Sequence, residues 1–313
     1  MLTKHALAHF LVRPSLLRKL IDSFVPIPPG LYIFLWHEIT DKPSQFMQET
    51  QMYTTTHEFA HQLEFIKTQF YIISPAEIAN SNFLNLDPNK RFALLSFDDA
   101  WKGIFHCTYS FLKPRNIKPV IFTNFGAIKG RVDFCAFQKY MFGTLHDLVH
   151  NYESIIEEFF RSKDSLRINP TFQGYQGELL DSKELETLDS SNSAFISNHL
   201  SHHFDCGKIS FDMFVELFNE NRNALKSYRN FLNWFAFPFG VPALNSSRDK
   251  VEYLQREGIS YFWANSTINL TKGEKLPTSY GRIGIQRETQ AEFWLKVRRG
   301  NRCINVNEGL SCG

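Results

Sequence analysis

The chain has little with which to cross-link itself. Its 313 residues hold five cysteines, Cys107, Cys135, Cys206, Cys303 and Cys312, an odd number without any Cys-x-x-Cys spacing. That excludes a disulfide framework and a zinc-finger pattern. Reduced thiols in a cytoplasmic protein are the expectation. Long apolar runs are missing too, so no transmembrane helix is expected. The short apolar piece Ala6–Val12 contains His9 and runs into Arg13-Pro14 without a small-residue cleavage pattern, so no export signal is expected. Charge of one sign is not in excess. The formal balance of +2 gives no support for nucleic-acid binding through bulk electrostatics. There is no internal repeat and no low-complexity segment.

What the chain does have is aromatic bulk: 31 Phe, 11 Tyr and 5 Trp. Most of these must be core, since large apolar side chains dominate burial. With 43% hydrophobic and 21% charged residues, a globular core is expected rather than disorder. This length suits one large α/β domain or two smaller ones.

One apolar run, Phe92–Leu95 and then Phe97, ends in adjacent carboxylates, Asp98 and Asp99. Such a run reads as a strand buried on both faces of a parallel sheet. In α/β sheets and barrels, ligands bind at the carboxyl ends of strands. Neighbouring carboxylates repel, and a cation or a proton relieves them. The alternative is that one of the two caps a following helix. A second run, Phe195–Ser197, leads into Asn198-His199-Leu200-Ser201-His202-His203. His199 and His203 are four apart, so one helical turn would bring both imidazoles to one side. Two imidazoles and a carboxylate suit a divalent transition metal with open positions for water.

Ser96-Phe97-Asp98-Asp99-Ala100 resembles the Thr-Phe-Asp-Asp-Gly motif of the polysaccharide (chitin) deacetylases, the NodB-homology family. His199–His203 resembles that family's His-(Ser/Thr)-x-x-His motif, and Phe235-Ala236-Phe237-Pro238-Phe239-Gly240 its third. Trp36-His37-Glu38-Ile39 is similar to the Tyr-His-Arg-Val opening of many members. Leu276-Pro277 with Arg282-Ile283-Gly284-Ile285 is similar to the closing Leu-Pro-Arg-Ile, with an insertion. The likeness covers roughly residues 31–299. It implies a distorted (β/α) barrel of parallel strands alternating with helices. It also implies a metal-dependent hydrolase that removes an acetyl group from an N- or O-acetylated sugar or glycan precursor. On this resemblance Asp98 is the base. Asp99, His199 and His203 hold the metal, zinc first, with Co, Ni or Fe as alternatives. The backbone N–H of Phe239 contributes to the oxyanion hole.

The chain also departs from that pattern. Leu200 replaces a hydroxyl residue, Phe204 replaces a Pro, and His202 competes with His203 as a ligand. Ala236 stands where many members carry an Arg that orients the base. The family's late Leu-x-Leu-His segment, which supplies the general acid, has no counterpart; Ile304–Asn307 contains no His. The candidates left for acid or substrate contact are His37, Trp101 and Arg282. Two other functions stay open: a non-catalytic carbohydrate-binding or scaffold protein with this fold, and a related C–N hydrolase on a non-sugar amide.

Patterning supplies the surroundings. Residues 1–30 read as a helical arm with Leu16, Leu17, Leu20, Ile21 and Phe24 on one stripe. It either docks onto the domain or, through 1–24, touches an anionic membrane surface. Residues 31–313 form the domain, with strands at 31–36, 71–73, 119–123, 234–237 and 259–263. Between them Thr55, Ser74, Asp181 and Ser210 start helices. Helices are also expected at 101–115, 248–257 and 292–297. Residues 125–180 read as an insertion carrying an amphipathic helix from Leu145 to Phe159, a wall over the site or an oligomer contact. His146 and His150 there read as surface residues. An intracellular substrate, one attached to lipid included, follows from the missing export signal.

Overall fold

A computed structural model describes residues 26–79, 86–145, 151–240, 247–264, 266–269, 278–299 and 301–302. The arm 1–24, His146, His150, Leu276-Pro277, Cys303, Cys312 and Ile304–Asn307 lie outside the described residues. Strands β1 (Gly30–Trp36), β2 (Arg91–Asp98), β3 (Val120–Thr123), β4 (Phe195–Asn198), β5 (Phe231–Ala236) and β6 (Ser260–Trp263) follow one another in space as in sequence. Their neighbours pair in parallel throughout. The last strand is one short segment broken at Arg282. Its first part, β7 (Ser279–Gly281), pairs with β6, and its second, β8 (Ile283–Gly284), pairs with β1. The two edges of the sheet therefore meet in a single segment, and the sheet closes into a barrel. At the seam the Arg282 N–H donates to the Trp263 carbonyl at 2.8 Å and the Ile285 N–H to that of Leu35 at 2.7 Å.

Alternation along the strands separates the core into two clusters, as the two-residue period of a strand requires. Leu31, Ile33, Phe92, Leu94, Val120, Phe122, Trp234, Phe262 and Tyr280 fill the lumen. The residues between them, such as Tyr32, Phe34, Leu95, Ile121 and Phe235, face the helices. Phe34 meets Phe70 at 5.7 Å and Phe293 at 5.8 Å between ring centroids. Full burial of such a ring stabilises by about 1.5–3 kcal/mol. The aromatic excess is thus spent largely on the layer between barrel and helices.

Caps set the helix starts. Thr55 and Glu58 form the expected capping box at α1 (Thr56–Gln69). The helical stretch from Lys102 to Arg115 is not uniform; it widens into a π-helical turn at Cys107–Leu112 before Pro114 tightens it. Residues 125–180 contain Phe125–Gly130, α2 (Phe134–Phe142), α3 (Tyr152–Arg167) and Pro170–Gln176. The amphipathic helix begins at Tyr152, capped by Asn151, rather than at Leu145. Beyond these, α4 (Ser182–Ser190), α5 (Phe211–Leu225), α6 (Arg248–Arg256) and α7 (Gln290–Arg299) complete the ring. Among the described residues, no helix is long and apolar enough to cross a membrane.

Candidate metal centre

The lumen parity continues to the carboxyl ends of the strands. His37, two residues past the lumen-facing parity of Leu35, then Asp98, His199 and Arg282 all carry it. Each reaches the mouth of the barrel, and all but Arg282 line one cavity of about 600 Å³. Asp98 is buried, and both its oxygens are held by Arg282, at 2.5 Å from Nη1 and 2.7 Å from Nη2. Arg282 is wholly buried and lies over the Phe122 ring at 5.1 Å. A bidentate guanidinium fixes a carboxylate in plane as well as in charge. This is the orienting position for which Ala236 offers no side chain.

Three strand ends turn into the site through non-glycine residues in the left-handed region: Asp99 (φ 71°), Leu200 (φ 68°) and Phe239 (φ 61°). Such backbone costs about 1–3 kcal/mol per residue and persists where the surroundings enforce it. The first turn swings Asp99 out of the strand, so that Asp98 and Asp99 diverge. Asp99 Oδ2 accepts from Trp101 Nε1 at 3.1 Å, while Oδ1 is buried without a hydrogen-bond partner. The second turn replaces the helical turn expected from the histidine spacing. Residues 199–203 are not helical; the Leu200 N–H bonds to Asn198 Oδ1 at 2.9 Å and the chain bends at Ser201 and His202. A bend brings His199 and His203 together, with ring centroids 4.9 Å apart. His202 goes the other way, buried against Phe159, Phe160 and Phe204.

Asp99 Oδ1 lies 3.5 Å from His199 Nε2 and 3.3 Å from His203 Nε2. One donor atom from each of the three lies within 4.8 Å of the others. His199 Nδ1 is 2.8 Å from the Ala236 carbonyl oxygen, which can only accept. That fixes the proton on Nδ1 and turns Nε2 toward Asp99, the arrangement that metal-binding imidazoles use. His203 Nδ1 lies 3.0 Å from Cys135 Sγ. The donor set and the orphaned Oδ1 fit a divalent transition metal.

Electrostatics agree with that fit. Burial alone would push Asp99 up, but His203, His199 and His37 together hold it below the usual carboxylate range. Burial would lower His199, and Asp98 and Asp99 instead raise it. Burial pulls His203 down to about 4. The same two carboxylates that favour a proton on His199 would favour a cation there in its place. His37 is lowered, by burial first, and its Nδ1 has no partner. The Phe239 ring packs on His203 at 4.7 Å.

Several supporting residues were not foreseen. Asn124 Nδ2 holds the carbonyls of His199 and Leu200. Asn221 ties the ends of β3 and β4 through Thr123 O at 2.8 Å and Asn198 Oδ1 at 2.7 Å. A Cβ on Gly126 would come within 2.5 Å of the Ser201 carbonyl, so only glycine lets this segment lie against the histidine loop. Buried asparagines beside strand ends were the available signal. Cys135 gave none.

No family model matches the chain, and neither does any curated protein. Solved structures do. The Streptococcus pyogenes deacetylase PplD in complex with acetate superposes with a TM-score of 0.57, at 17% identity over 87% of this chain and 99% of that one. A polysaccharide deacetylase from Bacillus cereus gives 0.55, at 14% identity over 87% and 70%. A de-N-acetylase from Aggregatibacter actinomycetemcomitans gives 0.52, at 12% identity over 83% and 96%. The chain has the polysaccharide deacetylase fold. In this deacetylase fold the three sequence motifs fall at the ends of β2, β4 and β5, around one cavity.

Proposed function

We propose that the chain is a metal-dependent hydrolase that removes an acetyl group from an N- or O-acetylated sugar. The observation that carries this reading is the convergence of Asp99, His199 and His203, with Asp99 Oδ1 unpaired, beside an Arg-clamped Asp98. Three solved structures of this fold named as deacetylases, one of them with acetate, support it.

A divalent transition metal, zinc first, held by these three residues would polarise the acetyl carbonyl and acidify a water. The chain's own residues supply the rest. Asp98 Oδ2 lies 3.7 Å from His199 Nε2, so its carboxylate borders the same point and would take the proton of the attacking water. Arg282 keeps it aimed through two hydrogen bonds. The backbone N–H of Phe239, held at its strained turn, would face the oxygen on which charge develops. His37, which lines the same cavity, would return a proton to the leaving amine. A cytoplasmic site of action and a lipid-linked glycan precursor complete the proposal.

The first experiment is metal content of the purified chain beside Asp99→Ala and His199→Ala, followed by acetate release from acetylated sugars. About one metal per chain, lost in both variants, with acetate release that follows it, is the expected result. A wild type that takes up no Zn or Co would overturn the hydrolase reading and leave a carbohydrate-binding protein.

A further inference from the structure

His199 and His203 turn the same ring nitrogen, Nε2, toward Asp99, but their other nitrogens meet different partners. His199 Nδ1 faces the Ala236 carbonyl at 2.8 Å. His203 Nδ1 faces the Cys135 sulfur at 3.0 Å. None of the three motifs supplies that sulfur. It comes from the first turn of α2, in the 125–180 segment.

That turn is held in place. Asp133 caps it, accepting from the Ala136 N–H at 2.8 Å, and the Asp133 N–H donates to Gln176 Oε1 at 2.7 Å. Arg131 Nη1 donates to the carbonyls of Leu179 and Leu180 at 2.9 and 2.8 Å. The start of α2 is thereby tied to the far end of its own segment. Two successive residues of α2 then meet two successive residues of the histidine loop. Cys135 meets His203, and the Phe134 ring stands edge-on to that of Phe204 at 4.5 Å. Cys135 and His203 are both buried, and both border the catalytic cavity.

The positions of the two nitrogens decide what the sulfur does. A neutral imidazole that offers its Nε2 lone pair to a cation carries its proton on Nδ1. In a buried place that N–H needs an acceptor. A thiol sulfur accepts, and keeps its own proton while doing so. The sulfur is not itself a ligand. The donor atoms within 4.8 Å of one another are those of Asp99, His199 and His203, and Sγ is not among them.

We propose that Cys135 is a positioning residue of the metal centre: its sulfur accepts the His203 Nδ1–H and holds Nε2 toward Asp99 Oδ1. This rests on the reading of Asp99, His199 and His203 as metal ligands. Cys135 does for His203 what the Ala236 carbonyl does for His199. The 125–180 segment is then part of the metal centre and not only a wall beside it.

The test uses the full chain. Zinc affinity is read by competition with a chromophoric chelator, the imidazole protons by ¹H–¹⁵N NMR, and acetate release from acetylated sugars alongside. Cys135→Ala should weaken zinc binding by about tenfold or more, the usual worth of a hydrogen-bond partner behind a metal ligand. Its His203 Nδ1–H should exchange quickly with water. Cys135→Ser keeps an acceptor, and should bind zinc as the wild type does with a slowly exchanging Nδ1–H. Cys107→Ala is the control, a buried cysteine that does not border the cavity, and should leave zinc affinity alone. Wild-type zinc affinity in Cys135→Ala, or an equal loss in the Ala and Ser variants, overturns the role of Cys135 and spares the hydrolase. A sulfur-to-metal charge-transfer band in the cobalt-loaded wild type also overturns it, since the sulfur would then be a ligand. Zinc binding that needs Cys135 without acetate release upholds the role and sinks the hydrolase. A wild type that binds no zinc overturns both.

Discussion

Two buried acidic sites lie back to back in this molecule, and they have met the same problem differently. One is the barrel mouth with Asp98 and Asp99. The other is a cleft of about 600 Å³ behind it, where Glu38 is 9% exposed. His37 and Glu38 are adjacent, one serving each side, and the Trp101 indole is the wall between them. At the mouth, a guanidinium bonds both oxygens of Asp98, and three imidazoles hold Asp99 below the usual carboxylate range. In the cleft, Glu38 has only the Gly103 N–H, at 3.1 and 3.2 Å from its two oxygens. Burial outweighs that bond, and Glu38 is pushed up to about 8. Depth of burial is similar on the two sides; what differs is compensation.

The largest expected effect comes from removing the open carboxylate. Asp99→Ala should lose the metal and bring acetate release to background, read by metal analysis and an acetate assay. Next, Arg282→Met should make the mouth resemble the cleft. It leaves Asp98 buried and unpaired and should cost about 3–5 kcal/mol in denaturant unfolding. Asp98→Asn added to it should recover most of that stability without recovering activity. If the single variant is as stable as the wild type, compensation is not what distinguishes the two sites.

Glu38→Gln tests the cleft from the opposite direction. Folding raises Glu38 from 4.5 to about 8, so its contribution is intact below the lower value and is lost as pH rises through the upper one. At roughly 1.4 kcal/mol per pK unit, the variant should be more stable than the wild type by a few kcal/mol at pH near 9, and equal to it near pH 4. Thermal unfolding at the two pH values decides this; a gap that does not open with pH would break the comparison. The smallest effect belongs to the wall. Trp101→Phe removes the bond to Asp99 Oδ2 and should weaken metal affinity by about tenfold, with little change in fold.

The polar half of the mouth was legible because it follows local rules. Apolar runs that stop at Asp98 and at His199 announce strand ends, and the residue types there announce a cation. The Arg282–Asp98 clamp was not legible, since its partners are 184 residues apart and neither flanking pattern marks the pair. The histidine geometry is hidden for a related reason. A spacing of four reads as a helical turn, yet Leu200 at positive φ is what brings the pair together, and no glycine advertises it. Strand β8 is two residues long, too short for any alternation to show. The alternation rule does explain, once β1 and β2 are in place, why His37 and Asp98 share a face.

The seam at Arg282 also fixes when this site can exist. The strand that closes the barrel and the residue that orients Asp98 are one segment, which follows the other barrel strands in sequence. During synthesis β1 must wait for β8, its neighbour, until the five barrel strands between them in sequence and β7 have been made. A nascent or truncated chain ending before the seam would carry the whole Asp-His-His set while lacking the clamp beside it. Competence would therefore arrive late and at once, with ring closure, so that no half-made barrel releases acetate.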